Sequence, residues 1–149
     1  MNVLLTITTF FVLKNFQLNI NFCFFYSLLF SILAYPSSGT PFVDHHSAFF
    51  SLMGIYFLLL GIKSKKSVYW IILPVFLGIA FLSKQVPASY VILSVFFILI
   101  LYSFQSKTIK YLNYTFIGSS SFIIFILIFG SFHKIEISSF INQYIFYPM

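Results

Sequence analysis

The chain has 149 residues, 60% of them apolar and only 7% charged, and its net charge of +6 comes from eight lysines, no arginine and two acids. An ordinary soluble domain carries roughly 25% charged residues, so most of this surface is not built for water. The lysines stand singly or in short clusters between apolar runs, with no arginine-rich stretch to track phosphates, which argues against nucleic acid as a partner.

Residues 1–13 are apolar but fall short of the ~20 residues that a helix needs to cross the hydrocarbon core, so they read as a clipped span. Lys14 follows the apolar stretch and no basic residue precedes it, the reverse of a secretory signal. A first full span is expected over 16–35, closed by the turn-forming run Pro36, Ser37, Ser38 and Gly39. The lone cysteine, Cys23, lies inside this run and reads as a packing residue; a single cysteine excludes an internal disulfide.

Further spans are expected over 47–62, 68–83, 88–104 and 111–132, joined by loops too short for anything but antiparallel neighbours. The fold class is therefore all-α, a multi-pass transmembrane bundle of five to six spans forming one domain. The spans 47–62 and 68–83 are short, and the latter holds Pro74 and Gly78. Short or interrupted helices border cavities in many membrane proteins, and they also arise from simple tilt or from uncertain ends. Apolar residues continue to the final Tyr147, Pro148 and Met149, so both ends read as cut from a longer protein.

Orientation follows from the lysines. Lys14, Lys63, Lys65, Lys66, Lys107 and Lys110 fall on one side, against Lys84 and Lys134 on the other, which places the first six in the cytoplasm. Tyr69 and Trp70, near the cytoplasmic start of a span, and Tyr144 and Tyr147 outside, suit interfacial belts. The expected location is the plasma (inner) membrane, with both acids, Asp44 and Glu136, and all three histidines on the extracytoplasmic face.

Two short runs concentrate the chemistry. In Asp44-His45-His46, a carboxylate and an imidazole two residues apart in non-helical backbone could reach one divalent cation; Asp44 could equally cap the helix that follows. In the run 78–85, Lys84 and Gln85 close a span on the side that the lysine bias disfavours. Lys84 could meet a lipid phosphate, or could snorkel while complementing a helix C-terminus. His133, Lys134 and Glu136 read as solvated boundary residues, and the sequon Asn113-Tyr114-Thr115 lies at a cytoplasmic boundary where it would not be used.

This succession resembles the GT-C membrane glycosyltransferases: an Asp-His-His segment, a span, a lysine-rich loop, and a span ending Gly78-Ile79-Ala80-Phe81-Leu82-Ser83-Lys84. Asp44-His45-His46 is similar to the Asp-x-His motif of archaeal oligosaccharyltransferases. The run 78–84 is similar to a Gly-Leu-Ala-x-Leu-Thr/Ser-Lys stretch of bacterial lipid-linked-sugar transferases, and residues 140–148 resemble a segment after a later span of such enzymes. The resemblance implies Asp44 and His46 as ligands of a divalent metal or donor phosphate, and Lys84, Gln85 and His45 as substrate-binding residues. It implies a polyprenyl-phosphate sugar donor and a glycan, lipid or protein acceptor. The family's first-loop catalytic acid has no counterpart here, since no acid precedes Asp44; the general base would lie upstream of Met1, leaving this chain inactive alone. A transporter or lipid flippase would instead show polar groups from face to face, and a structural subunit would show no site.

Overall fold

The computed structural model describes residues 2–33 and 43–136, with 138, 139 and 142. Among these residues the fold is all-helical: α1 Asn2–Asn15, α2 Ile20–Leu33, α3 Val43–Ser64, α4 Ser67–Ser83, α5 Gln85–Gln105 and α6 Lys110–Phe132. The turn expected at residues 36–39, Tyr144, Tyr147 and all of the closing segment 140–148 except Asn142 lie outside the described residues.

Three helices are long and apolar enough to cross a membrane: α3, α5 and α6. By contrast, α1, α2 and α4 are shorter apolar helices. At ~1.5 Å per residue α4 extends about 25 Å, less than a typical ~30 Å hydrocarbon core. The clipped span and the first full span thus appear as two helices of 14 residues each. They break where Gln17 adopts a left-handed backbone, φ 62°, and the Asn19 side chain accepts the Asn21 N–H at 3.0 Å. In the other direction, α3 runs to 22 residues and begins at Val43, so its expected shortness does not hold.

At the centre lies α4, between α3 and α6. Gly54 and Gly61 of α3 face Leu77 and Trp70 of α4 so closely that an added Cβ would stand 2.7 Å from Leu77 Cδ2 and 2.9 Å from Trp70 Cε2. Small residues at such contacts let helices approach without help from a hydrophobic driving force. The main core joins Leu58, Trp70, Leu73, Leu77, Val95 and Leu99 from α3, α4 and α5. Trp70 is fully buried rather than interfacial, because its side of α4 faces Gly61 and the two tyrosines Tyr102 and Tyr111, whose ring centroids lie 5.6 and 4.9 Å away. Cys23 is free and fully buried, as a packing residue should be.

A second cluster of Leu5, Phe49 and Met53 ties α1 to α3. There Thr9 Oγ1 lies 2.8 Å from the Leu5 carbonyl and 2.7 Å from the Tyr56 hydroxyl. With the Thr9 proton on the carbonyl, Tyr56 donates to Thr9 across the helix interface. Tyr56→Phe is expected to cost ~1 kcal/mol, the usual net value of one such bond, and to speed thiol labelling of Cys23, whose helix is held through α1.

The outside of the bundle is apolar. Phe104, Phe116 and Phe132 are 78%, 73% and 84% exposed, and α6 also presents Ile124, Phe125 and Ile128 outward. A monomeric soluble protein rarely leaves a contiguous apolar patch beyond a few hundred Å² uncovered. The described helices therefore have the exterior of a chain that meets lipid or other helices.

Candidate functional site

The antiparallel packing of α3 on α4 carries the start of α3 to the junction between α4 and α5. That junction is one residue long. Lys84 is extended, φ −157° and ψ 126°, and its N–H donates to the Ala80 carbonyl at 3.0 Å, closing α4 as α5 begins at Gln85. Its carbonyl accepts the Ser47 hydroxyl at 3.1 Å. Ser47, fully buried one turn into α3, thus pins the backbone of the break from the neighbouring helix.

The Lys84 ammonium forms an ion pair with the Asp44 carboxylate. Asp44 and Ser47 stand three residues apart, on one side of α3, so the same face that anchors the Lys84 backbone also receives its side chain. The two side chains are 46% and 58% exposed, which keeps the pair open to a ligand. An exposed pair contributes at most ~1 kcal/mol to stability; its effect here is orientation. An ammonium has three donors, and one carboxylate oxygen engages one of them, leaving others for a second anion.

Of the sequence-predicted residues, Asp44 and Lys84 are therefore brought together across 40 positions of chain, with Gln85 next in line as the first residue of α5. His45 and His46 sit in the first turn of α3, both partly buried. Asp44 is in that turn too, where a carboxylate favours the helix N-terminus, and it is not the residue preceding the helix. The convergence of Asp44 and His46 on one cation was expected from non-helical backbone. In the helix, two residues apart means about 200° around the axis, so they do not share a face. Among the described residues no group of three or more His, Cys, Asp or Glu side chains could hold a metal ion. With a lysine ammonium on its carboxylate, Asp44 does not fit a resident metal, and no step is routed through one. His133, Lys134 and Glu136 are exposed beyond the end of α6, as expected of boundary residues.

Sequence reasoning missed Ser47, though a buried hydroxyl three residues after Asp44 shares its face. It also missed an apolar groove of about 550 Å³ between α4, α5 and α6. Leu77, Phe81 and Leu82 of α4, Val95 and Phe96 of α5, and Phe122 of α6 line it. The groove reaches Leu82, two residues from Lys84, so an apolar channel ends near an exposed ammonium.

Comparisons with protein-family models, with characterised proteins and with solved structures return no match for this chain.

Proposed function

We propose that the chain is a multi-pass membrane bundle forming the donor-phosphate side of a glycosyltransferase that takes sugar from a polyprenyl phosphate on the extracytoplasmic face. The observation that carries this reading is the pairing of Lys84 with Asp44, two residues singled out for different reasons and set beside the mouth of the apolar groove. An isoprenoid tail suits a groove of Leu, Val and Phe, and its phosphate suits an exposed ammonium held in place by a carboxylate. The lysine-rich end of the bundle, opposite this site, is cytoplasmic by the charge bias.

In that role the Lys84 ammonium stabilises the negative charge that gathers on the phosphate as the bond from sugar C1 to phosphate oxygen breaks. Asp44 and Ser47 fix its position, one through the side chain and the other through the backbone. Asp44 is committed to this pair and is not offered as the base, so the group that deprotonates the acceptor comes from another segment of the enzyme. The resemblance to GT-C transferases places that group on an earlier extracytoplasmic loop.

The test is transfer from radiolabelled polyprenyl-phosphate sugars in membranes carrying the intact reading frame. Removing a hydrogen bond to a charged phosphate is worth ~1.5–3 kcal/mol, so Lys84→Ala is expected to lower transfer by roughly ten- to a hundredfold. Asp44→Asn, which frees the ammonium without removing it, should lower transfer less. Transfer that ignores both substitutions, or none from any donor, would shift the reading to a transporter or a structural subunit.

A further inference from the structure

The opposite end of the bundle gathers positive charge that nothing in the chain neutralises. Lys14 closes α1, Lys63 and Lys65 close α3, Lys66 precedes α4, and Lys107 and Lys110 flank the turn from α5 to α6. Both acids of the chain, Asp44 and Glu136, lie at the other end. Two of the lysines are already engaged: Lys63 reaches the Asn15 carbonyl and the Phe16 ring, 4.6 Å from its centroid, and Lys110 lies over Tyr114.

Between the last turns of α3 and α5 and the first turn of α6 opens a cavity of about 630 Å³. Lys65 lines it with Gln105, Ser106 and Thr108, and its inner wall is formed by Tyr102 and Tyr111, which stack on the buried Trp70. Lys65 holds a left-handed backbone, φ 58°, at the position after a helix where glycine is ordinarily preferred. The cavity is therefore cationic and rich in hydroxyl and amide donors. It is also amphipathic, because Ile98 and Leu101 of α5 line it while remaining 41% and 52% exposed on the lipid-facing side of the helix.

We propose that this cavity binds the phosphate headgroup of an anionic phospholipid of the cytoplasmic leaflet, with Lys65 as the charge partner and the acyl chains lying along Ile98 and Leu101. A soluble phosphate would satisfy the lysine and hydroxyls alone; the apolar exit favours a lipid. Basic pockets between helices at a cytoplasmic boundary are suited to anionic headgroups. The site rests on the membrane reading above and is independent of glycosyl transfer.

Trp70 is the chain's single tryptophan and stacks directly behind the cavity, so its emission reports occupancy. The full chain in a neutral detergent is titrated with dioctanoyl phosphatidylglycerol, dioctanoyl phosphatidylcholine and inorganic phosphate. A saturable change with phosphatidylglycerol is expected, at least tenfold weaker with phosphatidylcholine and absent with phosphate at the same concentrations. Lys65→Gly, which removes the ammonium while suiting the left-handed backbone, should keep the helical fold and weaken binding about tenfold. Lys134→Gln, at the far end, should leave it unchanged. Equal response to both lipids, unaltered binding by Lys65→Gly, or phosphate matching the lipid would each overturn the assignment. Failure of the membrane reading is distinguishable, since it appears as release of the chain from membranes by alkaline carbonate.

Discussion

Replacing Gly118 by alanine is expected to force α6 away from α4 and to destabilise the bundle by about 3 kcal/mol, at the upper end for overpacking by one carbon. The added Cβ would drive into the Ile71 carbonyl oxygen and would stand 2.9 Å from the Ile71 carbonyl carbon and 2.8 Å from Pro74 Cγ. None of these atoms can turn aside, for two are backbone and the third is a ring that fixes its own backbone. The contrast with Gly54 is instructive, because there the obstruction is the far end of the Leu77 side chain, which has rotamers to yield. Gly130 has nothing within 4 Å of its added Cβ, and alanine there should be neutral or slightly stabilising, since alanine is favoured over glycine in helices by ~1 kcal/mol. The measurement is thermal unfolding in detergent with Trp70 emission as the probe, because Trp70 of α4 stacks on Tyr111 of α6. Gly118→Ala should lower the midpoint and shift emission already at low temperature, while Gly130→Ala should do neither.

The same helix shows how the sequence could be read and where reading stopped. Lysine clusters and Lys84 bracket the apolar run 68–83, and α4 matches it to within a residue. Lysine marks the loop because a charge in the hydrocarbon is costly. The start of α3 was misplaced for the same reason in reverse: the polar run from Asp44 to His46 ends the apolar signal, yet backbone hydrogen bonding continues back to Val43. Apolar span and helix are different quantities, and they diverge at polar first turns. A similar divergence moved the start of α5 from 88 to Gln85, ahead of Pro87, which the first turn tolerates because its N–H would lack a helical partner anyway.

For the site, each half was legible and the join was not. Alternating direction puts the start of α3 and the end of α4 on one face of the bundle, but a face is broad. What brings Asp44 onto Lys84 is the close approach of the two helices through Gly54 and Gly61, glycines whose helix-to-helix partners have no local signature. The burial of Trp70 escaped for a related reason: a tryptophan near a span's end has an interfacial precedent, and only the tertiary position of Tyr102 and Tyr111 draws it inward.

That burial makes Trp70→Ala the other substitution of large effect, with an expected loss of ~3–5 kcal/mol. The indole fills the space between Gly61, Tyr102 and Tyr111, and none of these can collapse onto an alanine: glycine has no side chain, and the two tyrosines are held against each other at 5.3 Å. In lipid the cost arises from lost packing contacts rather than from exposed apolar surface, because the surroundings are as apolar as the core. Trp70→Phe is the informative companion. It also leaves a void, but it removes the indole N–H, which is buried without a hydrogen-bond partner. An unsatisfied buried donor costs roughly 1–3 kcal/mol, so the phenylalanine should recover much of what the alanine loses. Heat-induced loss of the monodisperse detergent-solubilised species measures both without relying on tryptophan emission. A phenylalanine variant as damaged as the alanine would mean that the indole N–H has a partner in solution, and the stacked aromatic wall behind the lysine-rich cavity would then include a group that side-chain packing alone does not account for.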